Sequence, residues 1–516
     1  MIDLSAIPPQ ARESVEKVQA ENLLLQSEVA RLKHDLQLRE EIIKLLNLRL
    51  WGPKSEKLSP DQLALLPLEL VTTAQEVEQE TQRPEAQKQL PKAKAPRNNH
   101  PGRIVLPPGL PRFKQIIPCC PEDCRCDKCG AERPVIGYEI KEELVCKPAE
   151  FSVRVIQREK RGSHCLEEQG VAVAPAPARI LPKSKLSDEF IIEALAAKFQ
   201  QHFPIYRQCA SLWEDHGIDL SRQTLNQGIL AAAELLIPLV RAQAAELLAG
   251  AYIQVDETPV PCQVPEKTGR NHKAYLWEYS LPGGVVVFDF QMGRSREGPQ
   301  VFLKGFTGKL QCDGYGAYDK LGEGIIYVGC MAHIRREFMD AAKVAPNDPW
   351  PMEIVQRIGL LYEIEREARA GGMSWEQRLG LRQQKSRPIF QSLKERILEM
   401  RQERSPGSTF ARACDYALGQ WTRMEEYLKD GRLEIDNNWC EGAIRPIALG
   451  RKNWLHIGSE AAGPKIAAII SIVETCRRLD INLRTYLYDV LPRLGEWPIT
   501  RVAELTPSAW KASQKS

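Results

Sequence analysis

Apolar residues at positions 15–50 recur every seven residues. Val15, Asn22, Val29, Leu36, Ile43 and Leu50 form one series; Val18, Leu25, Leu32, Arg39 and Leu46 follow, each three residues later. Such a seam predicts one long helix that pairs as a coiled coil. β-Branched residues at half of the first positions (Val15, Val29 and Ile43), with mostly leucine at the second, favour two parallel strands, and Asn22 would fix their register. Further on, the pattern changes. Tyr252, Ile253 and Val255 in AYIQVDETPV (251–260) are strand formers, and Pro259 and Pro261 predict a strand end near Thr258. Four more strand-like runs follow at 272–279, 284–290, 308–315 and 324–333. Helical patterns occupy 186–248, 350–430 and 467–494. The expected centre is a mixed five-stranded sheet flanked by helices.

Polar stretches punctuate these elements. Residues 72–101 are rich in Gln, Glu, Lys, Pro and Ala, and 170–182 in Pro and Ala; both read as linkers. The 516 residues carry a net charge of only +3, so any basic surface has to be local. No apolar run approaches the roughly 20 residues of a membrane span, and the N-terminus lacks the basic-then-apolar pattern of a signal peptide. A cytoplasmic protein without a membrane partner is expected. Its 14 cysteines then read as thiols or metal ligands. Cys126 and Cys129 with the following glycine have the spacing of half of a zinc site. His164 and Cys165 are candidates for the other half, and Cys119, Cys120, Cys124 and Cys146 are possible substitutes.

Candidate chemistry lies in the strand region. Asp256 ends the first strand and Asp313 the fourth, the latter beside a glycine turn. Two strands that deliver carboxylates to one sheet end suit Mg2+, which takes oxygen ligands. A third acidic segment, 433–459, contains Glu434, Asp436 and Glu441, then Arg445, Arg451 and Lys452. Acids crowded against cations suit a site that holds metal and grips phosphate. Asn437 or Asn438 would cap the helix bearing Glu441, which places Glu441 and Arg445 on one face. Arg294 and Arg296, and His333, Arg335 and Arg336 near the fifth strand, are further candidates for phosphate contact. HGIDLSRQTLNQGIL (216–230) reads as a helix-turn-helix: a turn at Gly217, a helix begun by Ser221, and Arg222, Gln223 and Asn226 facing outward. Arg, Gln and Asn are the side chains that read guanine and adenine edges in the major groove. No phosphate-binding P-loop or nucleophile elbow is present.

VDETPV, CDGYGAYD, AHIRREF and DNNWCEGAIRPIALGRKNWL occur in that order over nearly 200 residues. They resemble the core motifs of the insertion-sequence-66 family transposases, and LWGPKSEKLSPDQL (50–63) resembles that family's N-terminal signature. The resemblance implies a ribonuclease-H-like core in which Asp256, Asp313 and Glu441 form a DDE triad holding two Mg2+ or Mn2+ ions. It also implies a zinc-finger-like module, from which this sequence departs by having GSHC where a second CxxC is expected. Glu434 and Asp436 are rivals for the third ligand. The resulting organisation is multidomain α/β: a coiled coil (1–60), a linker (61–110), a Cys-rich module (111–170) and a helix-turn-helix domain (183–249). A catalytic core (250–460) follows, with a helical insertion at about 345–430, then a C-terminal helical segment (461–516). The activity implied is cleavage at the ends of a mobile element and strand transfer to target DNA, in a prokaryotic, nucleoid-associated protein with accessory transposition proteins as possible partners; the coiled coil predicts a homodimer or higher assembly. A structure-specific nuclease and a non-catalytic DNA-binding regulator are the alternatives.

Overall fold

The computed structural model describes residues 9–51, 151, 160–162, 171–173, 179–181, 184–264 and 271–514, with side chains of the first helix given over 17–18 and 20–47. The 61–110 linker and every candidate zinc ligand, Cys126, Cys129, His164 and Cys165 included, lie outside the described residues. The chain divides into two units, Gln79–Pro175 and the remainder. In the smaller unit, β1 (Lys160–Gly162) pairs antiparallel with β2 (Val171–Val173).

The larger unit begins with α1 (Pro9–Trp51). Its seam residues Val18, Leu25, Val29, Leu32, Leu36, Ile43 and Leu46 are 48–60% exposed. Near its end Leu45 is buried, and Glu41 accepts the Thr409 backbone N–H at 3.0 Å. Next come α2 (Asp188–Phe199), α3 (Ile205–His216) and α4 (Arg222–Leu248). Ser187 and Ser221 cap α2 and α4 through their hydroxyls. Gly217 ends α3 at φ 66°, a left-handed position open to glycine.

The sheet order is β5-β4-β3-β6-β7. β3 (Tyr252–Cys262), β4 (His272–Ser280) and β5 (Val286–Gln291) are antiparallel neighbours; β6 (Lys309–Gln311) and β7 (Ile326–Val328) run parallel to β3. β3 does not stop near Thr258 as its prolines suggested. It pairs with β4 out to Pro261↔Lys273 and Cys262↔His272, whereas its pairing with β6 ends at Gln254↔Gln311. The Pro259 carbonyl accepts from Arg451 and the Pro261 carbonyl from the Ile457 N–H. Both residues therefore turn their backbone to the side that β6 has left. The missing proline N–H groups fall on that side, away from β4, where no ladder bond is lost.

After the sheet come α5 (Glu297–Phe302), α6 (Met331–Val344), α7 (Trp350–Ala370), α8 (Trp375–Leu381), α9 (Arg387–Gln402) and α10 (Thr409–Glu425). The chain closes with α11 (Asn438–Trp454), α12 (Gly463–Arg478), α13 (Leu483–Leu494) and α14 (Pro507–Ser513). α6, α7, α9 and α10 build a core of their own around Phe338, Ile358, Leu393 and Trp421. By contrast, α2, α4, α12 and α13 share one continuous core with the sheet. Ser471 and Thr475 of α12 accept the N–H groups of Phe288 and Val286, which covers the outer edge of β5. α4, contrary to expectation, is long and apolar enough to cross a membrane. It belongs to the core here: Leu225, Ile229, Leu236 and Leu239 are fully buried, and Gln243 donates to Thr475 at 2.8 Å.

Candidate active site

The site forms where β3 and β6 separate. Their last paired residues, Gln254 and Gln311, are completely buried. Gln254 donates to the Gln311 side chain at 2.8 Å and to the Asp436 carbonyl at 2.9 Å. Gln311 donates to the Gly329 and Glu434 carbonyls, each at 2.9 Å. Buried amides must find partners, and these find theirs in the chain that leads into α11. Two residues beyond this pair, Asp256 and Asp313 leave the same end of the sheet. Asn437 donates to the Val255 carbonyl at 3.0 Å, which seats the start of α11 beside Asp256. Glu441 stands in the first turn of that helix.

The charges nearest Asp256 are carboxylates. Burial pushes the Asp256 carboxyl well above the usual range, and the nearby charges of Glu441, Glu257 and Asp313 push it further; the Glu257 N–H offsets this in part. Among the described residues, no three acidic, His or Cys side chains are gathered closely enough to hold an ion as they stand. The donor set nonetheless fits a hard divalent cation, because carboxylates that repel one another are relieved by one.

Glu434 and Asp436 are committed elsewhere. Glu434 pairs with Arg378 at 3.0 Å and also with Arg369. Burial alone would raise its pKa, but these cations bring it below the ordinary value. Asp436 accepts from the N–H of Asn438 at 3.1 Å and from its amide at 2.8 Å. It therefore satisfies the first N–H of α11, whose N-cap position is held by Asn437, as one of the expected alternatives, without a side-chain cap bond. Burial lifts its pKa to about 6 against the opposing bond from Asn438.

The candidate cations fall into groups. His333 Nε2 lies 4.0 Å and Arg336 Nη2 3.7 Å from Glu441 Oε1. The acid thus faces two side chains of α6. Arg335 and Arg445 are half-buried, on α6 and α11, and Lys452 is exposed. Arg294 and Arg296 are stitched to the loop after Asp313: Arg294 stacks on Tyr315 with 3.7 Å to the ring centre, and Arg296 donates to the Gly316 carbonyl at 2.9 Å. Arg222 and Gln223 are exposed and Asn226 half-buried. Some 27 residues of α4, about 40 Å of helix, separate them from the approach to β3.

Sequence reasoning missed Glu278. It is fully buried on β4 and paired in register with Asp256. Burial raises its pKa to about 7, although Arg478, 3.6 Å away, and the Cys440 thiol pull it down. The available signal was a charge between Trp277 and Tyr279, in the apolar half of the strand.

The sequence model described as Transposase IS66 family matches residues 183–465, more than half of the chain. A second, described as Transposase C of IS166 homeodomain, matches residues 38–114. Among curated proteins, one named Uncharacterized protein y4hP from Sinorhizobium fredii is 32% identical over 91% of this chain and 88% of its own length. Another from the same organism, Uncharacterized protein y4jD, is 31% identical over 93% of this chain and 95% of its own length. With such matches over the acid site and nearly the whole length, the chain belongs to the IS66 family of transposases.

Proposed function

We propose that the chain is a DDE transposase that cleaves the ends of its element and joins them to target DNA. The observation that carries this reading is geometric: Asp256 and Asp313 follow the Gln254–Gln311 pair at one end of the sheet, and Asn437 seats the helix bearing Glu441 beside Asp256; burial, and then Glu441, Glu257 and Asp313, push the Asp256 carboxyl up. The sheet order, three antiparallel strands followed by two parallel ones, supports a ribonuclease-H-like core. Asp256, Asp313 and Glu441 would hold divalent cations, which supply activation of the attacking water or 3′-hydroxyl and stabilisation of the leaving oxygen. Arg336 keeps positive charge at Glu441, where a scissile phosphate would lie, and the His333 imidazole stands beside it. Arg451 and Lys452 extend that charge along α11, and Arg222 with Gln223 supplies a separate surface for bases. The exposed seam of α1 supports a two-stranded coiled coil, and hence a dimer.

The test uses the full chain, labelled element-end DNA and Mg2+. Cleavage at the 3′ end and joining to a target plasmid support the proposal. Cleavage without joining indicates a nuclease, and DNA binding without cleavage a regulator.

A further inference from the structure

Arg294 was expected to touch a DNA backbone, but its contacts point inward. Its Nε donates to Glu257 Oε1 at 2.6 Å, and its Nη2 pairs with the same carboxylate. That carboxylate is nearly inaccessible, 2% exposed, and its other oxygen accepts from Tyr318. The guanidinium plane lies over the Tyr315 ring, and the Tyr315 hydroxyl donates back to the Arg294 carbonyl at 3.0 Å. The Tyr315 backbone N–H in turn donates to Asp313 Oδ1 at 2.9 Å. On the other side of this loop, Gly314 packs so closely on Tyr416 and Gln420 of α10 that a Cβ would come within 2.9–3.0 Å of them.

We infer that Arg294 and Tyr315 are positioning residues for the Asp313 carboxylate. This inference rests on the catalytic reading above. The loop is pressed between α10 and the Arg294 stack, and Asp313 takes its orientation from the Tyr315 N–H at the centre of that clamp. Groups behind a metal ligand fix its direction, and their removal typically weakens metal affinity or activity 10–100-fold. A guanidinium can hold a carboxylate and stack on a ring together; an ammonium on a flexible stem cannot. The Arg294 side chain is 42% exposed, so replacing it opens no core.

The experiment compares the full-length wild type with Arg294→Ala, Arg294→Lys, Tyr315→Leu and Asp256→Asn. It measures Mg2+ dependence of cleavage, duplex affinity across a salt series, and thermal midpoint. Arg294→Ala, Arg294→Lys and Tyr315→Leu should each raise the half-maximal Mg2+ concentration about tenfold, while duplex affinity and its salt slope stay unchanged. Tyr315→Leu alters no charge, so a shift there arises from positioning alone. An unchanged Mg2+ requirement with a salt slope shallower by about one unit in Arg294→Ala would make Arg294 a phosphate contact and overturn the inference. Cleavage that persists in Asp256→Asn removes the catalytic reading itself. Cleavage lost in Asp256→Asn but unmoved in Arg294→Ala and Tyr315→Leu removes only the clamp.

Discussion

Asp256 and Glu365 are both acids that burial has taken out of water, yet their surroundings drive them in opposite directions. At Asp256 the neighbours that dominate are other carboxylates, and the group is pushed well up. Glu365, at the heart of the helical insertion, is also pushed up by burial, but Arg382 and Arg378 outweigh this and bring it down to about 2. Arg382 meets Glu365 at 2.7 Å, donates to the Asp430 and Leu433 carbonyls at 2.8 and 2.7 Å, and lies over Tyr427. Arg378 extends the network to Glu434, in the chain that feeds α11. One acid set is satisfied and builds a frame; in the other, Asp256 at the sheet end has only carboxylate charges acting on it. Strained charge of the second kind is where function concentrates, because binding a cation discharges it.

The sharpest way to break this contrast is to empty the frame. Arg382→Met leaves Glu365 buried without its main partner and should cost about 3–5 kcal/mol of unfolding free energy, read by denaturant titration. A loss under 1 kcal/mol would mean that the network is not a frame.

Glu278 stands between the two sets, with a cation nearby but a pKa raised to about 7. Its folded value lies above its unfolded value of 4.5, so the folded state holds the proton longer. Stability from this group is unaffected below about pH 4.5 and declines as pH rises to about 7, by about 3 kcal/mol in all. Glu278→Gln removes this decline. The stability of the variant relative to wild type should therefore climb between pH 5 and 7 and level off above. A flat difference would show that Arg478 compensates the charge fully.

The smallest effect belongs to the repelled acid. Asp256→Asn removes a buried, unfavoured charge and should raise the metal-free thermal midpoint, whereas Glu365→Gln should lower it. Midpoints that shift in the same direction would erase the distinction.

Much of this architecture could be read along the chain, because strand formers and helix caps are local. The four strands after β3, the hydroxyl caps Ser187 and Ser221, and the turn at Gly217 depend on neighbours a few residues away. The extent of β3 was not legible. Whether Pro259 and Pro261 end a strand depends on which side of it a partner lies, and only the early end of β6 decides that. The insertion's purpose was equally hidden, since Arg382 meets carbonyls about fifty residues away. At the site, Asp256, Asp313 and Glu441 were named from strand ends and motif resemblance. Choosing Glu441 over Glu434 from residue contacts needed Arg369 and Arg378, which no local pattern connects to them. Glu257, Tyr315 and Glu278 escaped because their importance lies in what they face across the sheet and loop.

The most direct test of the central claim sets the two kinds of acid against each other in one assay. Full-length wild type, Asp256→Asn, Glu441→Gln and Glu434→Gln are each given labelled element-end DNA and Mg2+ at equal fractions folded and bound. The account predicts 3′-end cleavage in wild type and Glu434→Gln, and none in Asp256→Asn or Glu441→Gln. Cleavage by Glu441→Gln at the wild-type rate, with its loss in Glu434→Gln, would contradict it and move the third acid of the site into the frame.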